Sequence, residues 1–165
     1  MKPKQFKLSR ATITITRETF ALRDEPWPLA DTPDRIANAI TAHIEHQQHG
    51  YETERFFVVL LTTRRRILDI IDLSTGTLDA LLVHPREVFR PAIVENAHSI
   101  VLSHVHPSGD PAPSEADIKI TRELRRAGQL LKIEVLDHVI VGNPTFVMPG
   151  ARAWSSLREL GYFYI

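Results

Sequence analysis

Ser103-His104-Val105-His106-Pro107-Ser108-Gly109-Asp110-Pro111-Ala112-Pro113-Ser114-Glu115-Ala116-Asp117 is the stretch on which this sequence turns. Ser99 to Val105 is mostly apolar and reads as a buried strand. It runs into His106 to Pro113, where Pro107, Pro111 and Pro113 lack backbone donors and Gly109 admits a turn, so neither strand nor helix continues. Ser114 then has the chemistry of an N-cap, opening a helix expected to end at Ala127-Gly128 with Gly at the C′ position. Strand, rigid loop, helix is the local plan.

The same alternation extends outward. Thr32 and Pro33 read as N-cap and N1 of a helix to about Gln48, stopped by Gly50. Phe56 to Leu61 is a continuous apolar run, as in a strand covered on both faces. Thr62 to Arg65 turns into a strand near Ile67 to Leu73; Ser74 to Thr77 turns again, toward a short strand at Leu78 to Val83. Pro85 opens a helix through Ala97. Beyond the central stretch we expect strands at Ile133 to Val141 and Thr145 to Met148, then a helix over Ala151 to Leu160. The class is α/β (mixed α+β), a curved mixed sheet flanked by helices. Residues 31–165 form the domain, and 1–30 an N-terminal extension with a strand pattern at Ala11 to Thr16 and a linker at Glu25-Pro26-Trp27-Pro28.

With 165 residues, 43% hydrophobic and 24% charged, the chain can bury one core without staples. It has no cysteine, which excludes disulfides, thiolate zinc sites and cysteine nucleophiles. Twenty Lys and Arg balance twenty Asp and Glu. Proteins that work mainly on nucleic acid show a basic excess, so this balance argues against that partner. The one basic cluster, Arg64-Arg65-Arg66, falls at a hairpin turn. No apolar run reaches membrane-spanning length and none marks a signal peptide; the expected setting is cytoplasmic.

Residues i and i+2 of a strand share a face, so His104 and His106 can bring two imidazoles to one ion. Asp117 lies in the first turn of the next helix. Two neutral nitrogens and a carboxylate leave a fourth tetrahedral position open, the composition of a catalytic zinc (Zn2+) site. Ser114-Glu115-Ala116-Asp117 equally fits a helix start with an acid at N3. Spacing alone leaves both readings standing.

The run resembles the JAMM (MPN+) metalloprotease signature: His-x-His, seven residues, then Ser-x-x-Asp. More narrowly the chain resembles the RadC family, on Thr75-Gly76-Thr77, His84-Pro85-Arg86-Glu87-Val88-Phe89, His106-Pro107-Ser108-Gly109-Asp110, Ala127-Gly128 and Leu136-Asp137-His138-Val139-Ile140-Val141-Gly142. It departs at Val105, where family members carry Asn; that side chain points away from the ligand face. It also lacks room in residues 1–30 for the family's N-terminal helix-hairpin-helix-like region.

The resemblance implies a JAB/MPN-like fold with zinc on His104, His106 and Asp117, and an early-strand Glu that takes a proton from the attacking water. The pattern Glu-x-Phe-x-Val assigns that role to Glu54, with Glu52 nearby. It gives Ser114 the role of steadying the oxyanion. The implied reaction is hydrolysis of an amide or isopeptide bond in a peptide or protein substrate. Substrate identity and oligomeric state are not marked. Two other readings follow from the same relatives: a DNA-repair-associated accessory protein, and a catalytically silent MPN scaffold. Asp137-His138 is a polar pair in an apolar strand, open to a supporting role at the site or a purely structural one.

Overall fold

The apolar run forms strand β1, Arg55–Leu61, buried at every position. The computed structural model describes residues 28–45, 50–75, 83–147 and 150–164. Among these, β1 lies next to the centre of a five-stranded mixed sheet. Its neighbours are β2 (Ile67–Thr75) and β3 (Ser99–His106), both antiparallel to it. Strand β4 (Glu134–Gly142) runs parallel to β3, and β5 (Trp154–Ser156) closes the order β2-β1-β3-β4-β5 antiparallel to β4.

Alternation along β1 feeds two cores. Phe57, Val59 and Leu61 join Ile36, Ala37, Ile40 and Ile44 of helix α1 (Pro33–Glu45) on one face. Phe56, Val58 and Leu60 pack with Val88, Phe89 and Ala92 of α2 (Pro85–Val94) and Ile118 and Leu124 of α3 (Glu115–Leu131) on the other. A strand buried on both faces can be apolar throughout, as expected.

Four expectations are corrected. Helix α2 stops at Val94, not Ala97: Asn96 turns left-handed (φ 52°) and the Ala97 N–H returns to the Ala92 carbonyl at 2.8 Å. Helix α3 runs through Gly128 to Leu131, where Lys132 takes the left-handed cap and the Ile133 N–H bonds the Gly128 carbonyl at 3.0 Å. Gly128 is instead a packing residue, since a Cβ there would collide with the Ile133 carbonyl and press on Phe89. In place of a strand at Thr145 to Met148, Pro144–Phe146 is a 3-10 turn, its first turn capped by the Asn143 side chain, which accepts from the Thr145 N–H at 3.0 Å. The expected helix over Ala151 to Leu160 is strand β5 followed by turns, because Ser155 and Ser156 bond outside the segment, to the Pro111 carbonyl and to Asp137.

The expected strand at 11–16, most of the linker at 25–28, the helix end at 46–48 and nearly all of the strand at 78–83 lie outside the described residues. Among those described, no helix is long and apolar enough to cross a membrane.

Candidate metal centre

The site forms where β3 ends against the start of α3. His104 is fully buried on the α3 side of the sheet, opposite Phe56 of β1 and stacked on its ring at 6.3 Å. Val105 points into the other core, as its position requires. His106 is the last residue of β3. Its Nδ1 lies 2.7 Å from the Asp110 carbonyl, which can only accept, so Nδ1 carries a proton and the neutral ring presents a lone pair at Nε2.

His104 Nε2 and His106 Nε2 face each other at 2.7 Å. Asp117 Oδ1 lies 3.3 Å from the first, and Oδ2 3.6 Å from the second. One donor atom from each residue thus converges within 4.8 Å, and the three residues could hold a metal ion. Facing ring nitrogens and a carboxylate ask for a cation between them. Two imidazole nitrogens and one carboxylate oxygen also match the donor set of an open zinc site.

Ser114 and Asp117 meet both readings of the sequence at once. The Ser114 hydroxyl accepts from the Asp117 N–H at 3.2 Å and donates to Oδ2 at 2.6 Å, while the Ser114 N–H donates to the same Oδ2 at 2.7 Å. The helix is capped and the carboxylate is aimed by the same bonds. Burial alone would raise the Asp117 carboxyl; bonding to His106, the nearby His104 and the two Ser114 bonds outweigh it and hold the group well below the usual carboxylate range. Burial, with His138 and His106 nearby, drives His104 well below its ordinary value against the pull of Asp117. Burial also pulls His106 down, but bonding to Asp117 and to the Asp110 carbonyl, with the charges of Asp117 and Glu54, leaves it raised.

Glu54, half-buried, immediately precedes β1. The register Phe56↔His104, carried two residues outward, brings it level with His106, and its charge is felt there. Glu52 is exposed.

The loop between His106 and Asp117 is fixed by close backbone approach. The His106 carbonyl accepts from Gly109 and from Asn143, each at 3.1 Å. Gly109 adopts φ +85°, and a Cβ on Gly142 would collide with the Gly109 carbonyl.

The sequence left the Asp137-His138 pair open to a supporting or a structural role, and it is His138 that reaches the site. In the structure its Nε2 lies 2.8 Å from His104 Nδ1, and its Nδ1 2.6 Å from the Thr121 hydroxyl. The ring is fully buried, which pulls it down to about 4 despite Asp117. Asp137 turns elsewhere, accepting from the His138 N–H at 2.7 Å, the Ser156 hydroxyl at 2.6 Å and the Arg158 N–H at 3.1 Å.

The sheet, the His-x-His strand end and the helix-borne Asp together define a JAB-type domain with residues able to hold one metal ion. The chain belongs to the RadC family: the model of the RadC-like JAB domain matches residues 30–159. It is 44% identical over 152 residues to a UPF0758 protein of Desulfitobacterium hafniense, covering 92% of this chain and 62% of that protein. It is 49% identical over 145 residues to a UPF0758 protein of Geotalea uraniireducens (88% and 62%) and 57% identical over 106 residues to one from Chlorobaculum tepidum (64% and 44%). The chain spans less than two thirds of the length of these curated relatives.

Proposed function

We propose that this chain is a zinc-dependent hydrolase, a JAMM-type metallopeptidase or isopeptidase acting on an amide bond of a peptide or protein. The observation that carries the reading is the convergence of His104 Nε2, His106 Nε2 and an Asp117 oxygen at the end of one strand. Zinc bound there would supply a water acidified toward neutrality and a Lewis acid for the carbonyl. Glu54, level with His106, takes the proton of the attacking water and passes it to the leaving amine. The Ser114 hydroxyl turns from Asp117 toward the developing oxyanion, while the Ser114 N–H keeps hold of Oδ2. Balanced charge, with Arg64 and Arg65 on an exposed turn, favours peptide over nucleic acid as the partner.

Purified protein should carry close to one zinc per chain, and His104→Ala or Asp117→Ala should lose it. Zinc-loaded protein should cleave members of a peptide and isopeptide library, and a chelator should stop it. Full zinc content in both variants would overturn the ligand set. A zinc-loaded protein that cleaves nothing in the library would overturn the hydrolase reading.

A further inference from the structure

Two buried side chains outside the proposed ligand set connect one of its members to another. The Thr121 hydroxyl lies 2.5 Å from the Asp117 carbonyl and 2.6 Å from His138 Nδ1; His138 Nε2 lies 2.8 Å from His104 Nδ1. Thr121, His138 and His104 are all nearly inaccessible to water. Their protons can be placed by counting donors. A carbonyl only accepts, so the single Thr121 proton goes to Asp117. Thr121 must then accept from His138, which places the His138 proton on Nδ1. His138 is buried and its two ring nitrogens face Thr121 and His104, neither a carboxylate, so the ring stays neutral and Nε2 is an acceptor. His104 must therefore donate from Nδ1, and its lone pair is left on Nε2, the atom that faces His106 and Asp117.

The contact follows from the pairing of β3 with the second half of β4, where Leu102 faces His138 and His104 faces Ile140 without a shift. Ile100 pairs with Val135 but Leu102 with His138, so three steps along β4 match two along β3. That bulge changes the phase of the strand. His138 shares the face of Ile140, which is the face of His104, and the bulge brings Val135 to that face as well.

We infer that Thr121 and His138 are positioning residues: a relay from the Asp117 backbone that locks His104 in the tautomer whose Nε2 binds the metal. The inference rests on the proposed metal-site reading, but its first readout is the metal-free protein. A histidine ligand whose remote N–H is held is a better-oriented ligand, and losing such a partner typically costs about 10- to 100-fold in metal affinity.

Thr121→Val tests this without touching a ligand. With no hydroxyl to receive it, the His138 proton moves to Nε2, where it confronts His104 Nδ1 and forces the His104 proton onto the metal-facing nitrogen. In 15N-histidine spectra of metal-free protein, the parent should show His104 protonated at Nδ1, and Thr121→Val should show a large fraction protonated at Nε2. Zinc affinity, by competition with a chromophoric chelator, should fall about 10- to 100-fold. Thr121→Ser should rescue both readouts, and so should His138→Gln relative to His138→Phe, because Gln can accept from His104 and donate to Thr121. A parent found protonated at Nε2 would overturn the relay, as would a folded Thr121→Val protein with the parent's tautomer and affinity. A parent with the predicted tautomer that takes up no zinc would instead sink the hydrolase reading and leave the relay standing.

Discussion

Gly142→Ala isolates the close approach on which the ligand loop depends. Gly142 ends β4 opposite His106, and its φ lies outside the left-handed region, so alanine fits the backbone conformation. The cost comes from space: the new Cβ would overlap the Gly109 carbonyl oxygen, with the carbonyl carbon at 2.8 Å and Cα at 3.2 Å. These are backbone atoms, so no rotamer change relieves them, and the 106–110 loop must move. That loop is held by the two 3.1 Å bonds to the His106 carbonyl and by the 2.7 Å contact of the His106 ring with Asp110. Overpacking costs about 1–3 kcal/mol, and weakening one of these bonds about 1 kcal/mol. Gly→Ala returns about 0.4–1 kcal/mol through the unfolded chain. The net is a loss of about 2 kcal/mol, or roughly 4–8 °C in melting temperature for a domain of this size. Differential scanning calorimetry of the metal-free protein reads that shift, and zinc competition reads the displaced His106 as weaker binding. Gly150→Ala is the control: φ +83° strains it, but nothing lies within 4 Å, so stability falls while zinc affinity holds. A Gly142→Ala protein that melts with the parent and binds zinc equally would refute the close approach as the loop's constraint.

Three further outcomes are expected. Glu54→Gln should retain zinc and lose turnover, since Gln cannot accept a proton at neutral pH; a Gln variant as active as the parent would move the base elsewhere, first to Glu52. Ser114→Gly should cost only a few tenths of a kcal/mol as a cap, against about 1 kcal/mol for Ser114→Ala, yet slow turnover on the order of a hundredfold in peptide assays. A folded, zinc-loaded Gly variant with full activity would reduce Ser114 to a helix start. Burial raises Asp137 against the bonds from Ser156, Arg158 and His138, so the fold favours its protonated form. The stability this adds is full below the ordinary carboxyl value and is lost as pH rises through the raised one. The melting temperature of Asp137→Asn minus that of the parent should therefore climb from about pH 4 toward neutrality; a flat or falling difference contradicts the sign.

The fold was legible where one physical signal decided an element. Phe56 to Leu61 could only be a strand buried on both faces, and Pro33 and Pro85 each open a helix. The end of α3 was misjudged because Gly128 was taken as the stop, and that of α2 because the apolar spacing was followed to Ala97. Asn96 and Lys132 take the left-handed conformation instead, each secured by an N–H one residue on reaching back into the last turn. Gly128 is needed inside α3 because the Ile133 carbonyl crosses its Cα. Strand β5 was illegible for a different reason. Trp154-Ser155-Ser156 has little periodicity of its own and extends because Asp137 and the Pro111 carbonyl, distant in sequence, take its hydroxyls.

The three residues proposed to hold the metal were legible because two local periods intersect: i, i+2 on a strand and N-cap to N3 on a helix. Those readings looked like competitors in the sequence, and in the structure the bonds that cap the helix also hold Asp117 beside His104 and His106. An Asp at N3 is shorter than the usual Glu, and that shortness lets Ser114 grip Oδ2 from both its N–H and its hydroxyl while Oδ1 faces His104. The cap thus sets the carboxylate rotamer, and α3 carries Thr121 one turn further on, where the Asp117 carbonyl engages it. The same logic singled out Asp137-His138 as a polar pair in an apolar strand but could not place His138 at the site. Alternation puts it on one face with Ile140, but only the register His104↔Ile140 shows that this is the face of His104. The register between two strands distant in sequence has no local code of the kind a proline or a cap has. The contact of His138 with His104 therefore became visible only through pairing between β3 and β4, whereas the residues proposed to hold the metal were written close together in the sequence.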